Sequence, residues 1–100
     1  MQNSNYIINI IRAKMNQIEQ YHVTKLALFG SFVRGEQNEN SDVDILVEYE
    51  KDFETFDNYM DLKFYLEELF GRKVDLVIFD SIKPAFRTDI LRSAEYAKGA

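Results

Sequence analysis

Residues 42–50 read Asp-Val-Asp-Ile-Leu-Val-Glu-Tyr-Glu, and no other stretch constrains the chain so tightly. The alternation has the two-residue period of an extended strand. It sends Val43, Ile45, Val47 and Tyr49 to one face and Asp42, Asp44, Leu46 and Glu48 to the other. One face is ready for a core, and the other opens with two carboxylates. At i and i+2 these carboxylates project from the same side, about 7 Å apart along the strand. Beside apolar residues they repel each other and lose hydration, so something must compensate. A divalent cation would do so, and Mg2+ favours a few carboxylates completed by phosphate oxygens. On its own, an Asp-x-Asp triplet more often marks a solvated strand end.

The neighbouring segments predict the frame. Ile7, Ile8, Ile11, Met15 and Ile18 recur at helical spacing, which predicts an amphipathic helix over 4–20 with Ser4 or Asn5 as its cap. Residues 25–29 are a short apolar run, read as a buried strand ending at Gly30. A short helix is expected from Ser31 to Arg34, then a polar loop over 35–41. Residues 53–70 predict a helix with Phe56, Tyr59, Met60, Leu62, Leu66, Leu69 and Phe70 inward and Gly71 at its C-cap. Residues 74–79 predict a strand with Asp75, Val77 and Phe79 on one face. A last helix starts near Pro84 and runs to Ser93, with Phe86, Ile90 and Leu91 toward the core, and 95–97 form a short final strand. The expected class is α/β (α+β): a small mixed sheet with helices packed on one face and the other open for a ligand.

Composition narrows the function. One hundred residues suit one domain, taken as 1–100, and 46% hydrophobic residues, with 14% of the chain aromatic, supply its core. Lys and Arg number 12 against 17 Asp and Glu, a net charge of −5. That is a poor surface for neutralising nucleic-acid phosphates, so direct nucleic-acid binding is not expected. The absence of cysteine excludes disulfides, zinc-thiolate sites and thiol nucleophiles, and suits a reducing compartment. No apolar run approaches the roughly 18 residues of a membrane span. Residues 1–5 lack the basic and apolar regions of a signal peptide, so a cytoplasmic protein without membrane attachment is expected.

Two further features sharpen the acidic pair. Asp75 interrupts an apolar strand, where a lone charge is a liability unless it faces a site or reaches water at an edge. Three acids on adjacent strands could form a two-metal cluster that clamps the oxygens of a phosphoryl displacement. Gly30-Ser31 follows a strand and opens a helix, where free backbone N–H groups favour an anion. Gly30 permits a tight turn, and Ser31 can cap the helix or bond a phosphate.

Gly30-Ser31, ten residues, then Asp42-x-Asp44 resembles the signature of the DNA polymerase β-like nucleotidyltransferases. The strings Gly30-Ser31-Phe32-Val33-Arg34-Gly35 and Ser41-Asp42-Val43-Asp44-Ile45-Leu46-Val47 resemble the minimal MNT branch, encoded with HEPN partners in toxin–antitoxin pairs. Val74-Asp75-Leu76-Val77 is similar to the family's third-carboxylate strand, and residues 83–91 to its closing helix. The resemblance implies a minimal polymerase β-like core in which Asp42, Asp44 and Asp75 hold two Mg2+ ions. It implies that Gly30 and Ser31 grip the β- and γ-phosphates of ATP, with Asp75 lowering the barrier for an acceptor hydroxyl. Arg34 either steadies a phosphate or braces the 35–41 loop. Arg72 and Lys73 read as rim charges, and His22 as a surface or capping residue.

By resemblance, the activity is that of an antitoxin which transfers AMP from ATP to a tyrosine of a HEPN ribonuclease toxin, its partner in a hetero-oligomer. Bulk and charge added there would block RNA binding. Two alternatives stand beside it: a non-catalytic antitoxin that inhibits by binding, and the catalytic subunit of a split small-molecule nucleotidyltransferase.

Overall fold

A computed structural model of the chain describes residues 3–99. Met1 and Gln2, part of the N-terminus read above as leader-free, lie outside the described residues, as does Ala100. The elements are α1 (Ser4–Ala13), α2 (Met15–Glu19), β1 (Val23–Phe29), α3 (Ser31–Arg34), β2 (Val43–Tyr49), α4 (Phe56–Phe70), β3 (Val74–Ile78), a 3-10 turn (Phe79–Ser81), α5 (Pro84–Ser93) and β4 (Glu95–Lys98). The strands form one mixed sheet in the order β3-β2-β1-β4. β1 pairs antiparallel with β2 and β4, while β2 and β3 run parallel. A parallel pair needs a crossover, and α4 supplies it.

The alternation of β2 settles which face is the core. Val43, Ile45, Val47 and Tyr49 are buried with Leu26, Leu28, Val74 and Leu76 beneath α1, α2 and α4. Those helices contribute Ile7, Ile11, Ile18, Leu62, Leu66 and Phe70. The second face carries a smaller cluster, Ala27, Leu46 and Ile82, against which Ile90, Leu91 and Ala94 of α5 pack. The main core is thus the expected one-sided helix layer, and α5 covers the middle of the other face. Among the described residues, no helix is long and apolar enough to cross a membrane.

Several boundaries differ from expectation. The helix expected over 4–20 divides at Lys14, whose backbone leaves helical geometry at φ −107°. The break leaves Ile18 as buried as Ile7 and Ile11, so the apolar stripe runs through it unmarked. Its cap is Asn3, not Ser4 or Asn5: Asn3 Oδ1 accepts the Tyr6 N–H at 2.9 Å. α4 begins at Phe56 because Thr55 caps it, Oγ1 accepting the Asn58 N–H at 3.2 Å, and Gly71 ends it in a left-handed conformation. Phe56 and Phe86, both expected in the core, are 76% and 58% exposed. Phe56 lies roughly 120° around α4 from Leu62. Phe86 comes one turn before the residues of α5 that reach the sheet. β3 stops at Ile78, and Phe79 opens the 3-10 turn with its ring between Lys25 and Arg87, 5.3 and 5.8 Å from the centroid.

Candidate active site

Strand register assembles the acids. Asp44 of β2 pairs with Asp75 of β3, so the two carboxylates stand on adjacent strands about 4.8 Å apart, on the face of Leu46 and Val77. Asp42 comes just before β2 and shares the parity of Asp44. On the other side Asp44 pairs with Phe29, the last residue of β1, which brings Gly30 and Ser31 alongside it. Five of the six expected site residues, Gly30, Ser31, Asp42, Asp44 and Asp75, therefore meet at one end of the sheet. Arg34 lies on α3, its Nε donating to Glu36 Oε1 at 2.6 Å with both side chains more than half exposed, and its charge still reaches Asp44. This ion pair links the end of α3 to the start of the loop.

Gly30 has φ 75° and ψ −146°, a conformation costly for any residue with a Cβ. A Cβ there would also overlap Oδ2 of Asp44. Glycine is thus required by the acid: the carboxylate fills the space a side chain would take. Gly30 is also the cap of α3 and Ser31 its first helical residue, so the Ser31 hydroxyl is not the cap that the sequence suggested. Instead the Ser31 backbone N–H bonds the Asp44 carboxylate. Burial, then the charges of Asp75 and Asp42, push the Asp44 pKa above the ordinary carboxylate value, against the pull of the Ser31 N–H and Arg34. Asp75 also helps to raise the pKa of Tyr59, after burial, and the Tyr59 hydroxyl donates to Leu76 O at 2.5 Å.

Among the described residues, no three acidic or imidazole side chains are placed to hold a metal ion together. Asp42, Asp44 and Asp75 form an open acidic shelf instead. Their chemistry suits a hard divalent cation, since all donors are carboxylate oxygens, and a cation there would offset both the burial of Asp44 and the charges of Asp75 and Asp42 beside it.

Sequence reasoning missed two contributors. Arg72, read as a rim charge, donates from Nη1 to the carbonyls of Asn38, Glu39 and Ser41 at 2.9, 3.2 and 3.1 Å. Glu67 of α4 accepts the Val74 N–H at 2.9 Å and fixes the start of β3. Neither has a spacing signal, because each bonds backbone that only folding brings near. A cavity of about 380 Å3 lies between the 39–42 loop and the turn 71–73, with Asp42 and Arg72 in its wall. His22 is remote from the shelf, at the opposite end of β2, where Nδ1 bonds Glu50 Oε2 at 3.0 Å and its ring stacks on Phe53.

A mixed sheet that carries an acidic shelf beside a glycine-opened helix suits nucleotidyl transfer. The chain belongs to the nucleotidyltransferase domain family, whose model matches residues 8–97. It is 40% identical over 91 residues to the protein adenylyltransferase MntA of Thermococcus cleftensis, spanning 90% of this chain and 91% of that one. A shorter match, 65 residues at 49% identity and 65% of that protein's length, is to a candidate protein adenylyltransferase of Methanocaldococcus jannaschii. Among solved structures, a candidate minimal nucleotidyltransferase superposes with a TM-score of 0.80 at 31% identity, over 94% of this chain and 95% of that one. The MNT antitoxin in complex with a tri-AMPylated HEPN toxin from Shewanella oneidensis shares the fold, with a TM-score of 0.66 at 19% identity over 93% of this chain and 73% of that one.

Proposed function

We propose that residues 1–100 act as one adenylyltransferase unit that moves AMP from ATP to a tyrosine hydroxyl of a HEPN-family toxin, as an antitoxin. The observation that carries this reading is the register of Asp44 against Asp75, with Asp42 on the same face and Gly30 opened to admit the Asp44 carboxylate. The names of the archaeal adenylyltransferase and of the AMPylated HEPN complex support the donor, the acceptor class and the partner.

In the reaction, the phenolic oxygen attacks the α-phosphorus of ATP and the bond to the β-phosphate oxygen breaks. Pyrophosphate leaves, and the phenolic proton passes toward Asp75 or solvent. Asp42, Asp44 and Asp75 would hold the Mg2+ ions, which would supply charge neutralisation at the attacking and leaving oxygens. Strand pairing holds Asp44 and Asp75 side by side, with Asp42 just before β2 on the same face, which limits the reorganisation needed as charge develops. Gly30 and Ser31 bring backbone N–H groups close to the β- and γ-phosphates, and Arg34 can swing from Glu36 to a phosphate oxygen.

The test is the intact mass of the HEPN protein after incubation with this chain, ATP and Mg2+. A gain of one AMP or a small multiple, lost on chelation and in the folded Asp42→Asn/Asp44→Asn double variant, is the expected result. A stable complex with no mass gain makes the chain a binding antitoxin, and wild-type transfer by the double variant refutes the role of the acidic pair.

A further inference from the structure

Arg72 stands in the turn between Gly71, which ends α4 at φ 64°, and the first residue of β3. Its guanidinium reaches more than 30 residues back along the chain, to three carbonyls of the 38–41 loop. That loop ends one residue before Asp42. The same guanidinium lies over the Phe32 ring, 5.2 Å from its centroid, and Phe32 is the buried second residue of α3. Directly after Arg72, the Lys73 carbonyl accepts the Val43 N–H at 2.9 Å, which joins the start of β2 to β3. One side chain thus ties together α3, which presents Ser31, the loop that delivers Asp42, and the strand that carries Asp75.

Within 38–41 the loop also bonds to itself. Asn38 N–H donates to Ser41 Oγ at 2.8 Å, Asn40 N–H to Asn38 Oδ1 at 2.8 Å, and Ser41 N–H to Asn38 O at 3.1 Å. They shape the turn but do not fix it to the domain. A planar guanidinium that stacks on an aromatic ring while one of its edge nitrogens donates to carbonyls is specific to arginine; a lysine offers a point charge on a flexible stem.

We propose that Arg72 is a positioning residue of the transfer site, which sets the place of Asp42 relative to Asp44 and Asp75 by holding the 38–41 carbonyls. It acts through the loop and does not touch substrate. The inference rests on the proposed function for its importance to transfer, but its structural half stands apart from it.

The experiment compares wild type with Arg72→Met, which keeps an apolar side chain of similar length and deletes the guanidinium, and with Arg72→Lys. Three readouts are taken: amide hydrogen exchange over 38–43 without nucleotide, Mn2+ affinity by electron paramagnetic resonance, and kcat and KM for ATP in AMP transfer. In folded Arg72→Met, exchange over 38–43 accelerates while β1 amides keep wild-type protection. Mn2+ binding weakens roughly tenfold or more, as for partners that orient metal ligands, and kcat falls by more than KM rises. Arg72→Lys does not restore these values. Wild-type exchange over 38–43 together with wild-type Mn2+ affinity in Arg72→Met overturns the proposal. So does full recovery in Arg72→Lys, since a charge alone would then suffice. If Arg72→Met does not fold, Arg72→Lys decides by the same comparison. Exchange needs neither ATP nor partner, so the absence of AMP transfer in wild type would sink the transfer reading without deciding this one.

Discussion

Gly30 and Asp44 explain each other. The carboxylate lies where a Cβ would be, and the backbone at Gly30 adopts the positive φ that lets the next N–H turn onto that carboxylate. This arrangement is costly to the fold, because Asp44 is half-buried beside Asp75 and Asp42 and its pKa is raised by burial first and by those charges next. A carboxyl whose folded pKa exceeds its unfolded value binds its proton more tightly in the native state. Its ionisation therefore destabilises the fold, with no cost below the unfolded value near 3.8 and the full cost above the raised folded value. Asp44→Asn removes this cost and keeps an oxygen to accept the Ser31 N–H. It is expected to raise the urea midpoint at pH 7 while abolishing AMP transfer, and the stability gain should vanish as pH falls below the ordinary carboxylate value. An Asp44→Asn protein no more stable than wild type at pH 7 would show that the acids do not strain the fold. Strain retained at a site marks what function demands of it.

At the scale of elements, stability and function divide between the two sides of the sheet. α4 presses Leu62, Leu66 and Phe70 into the main core, all at most 3% exposed, while Phe56 in its first turn faces water. Leu66→Ala is expected to cost about 2–5 kcal/mol. Phe56→Ser should change stability by no more than about 0.5 kcal/mol. Urea unfolding of both variants checks the contrast, and a large loss at Phe56 would mean that the residue is covered. The same contrast explains what could be read beforehand. Period-two alternation in β2 fixed the faces of Val43 through Tyr49 and the shared side of Asp42 and Asp44, because a strand leaves a side chain only two directions. The parity of β3 likewise turned Asp75 to that side, though its register against Asp44 needed the fold. Helical positions were less legible: Phe56 and Phe86 are apolar by type, but which arc of a helix is buried depends on what lies under it. The kink at Lys14 leaves no mark in an apolar stripe that continues through it. Arg72 was invisible as a site residue because its partners are backbone carbonyls, which carry no sequence identity.

For the whole molecule, the dominant quantity is charge. The chain carries −5 net, and the shelf that would receive a polyanionic nucleotide is itself acidic, so a cation must come with the nucleotide. The protein acceptor meets the same field. A HEPN partner that cleaves RNA needs a basic surface to neutralise phosphates, and such a surface is drawn toward an acidic chain. Long-range attraction of this kind acts on encounter and is screened over about 10 Å at 0.1 M salt, whereas close apolar contacts are not. Association of this chain with the proposed HEPN partner, followed by stopped-flow fluorescence, is therefore expected to slow by about tenfold or more between low salt and roughly 0.5 M. The dissociation rate should change far less over the same range. An association rate indifferent to salt would mean that the net charge serves solubility alone, and that the two proteins find each other through apolar contact.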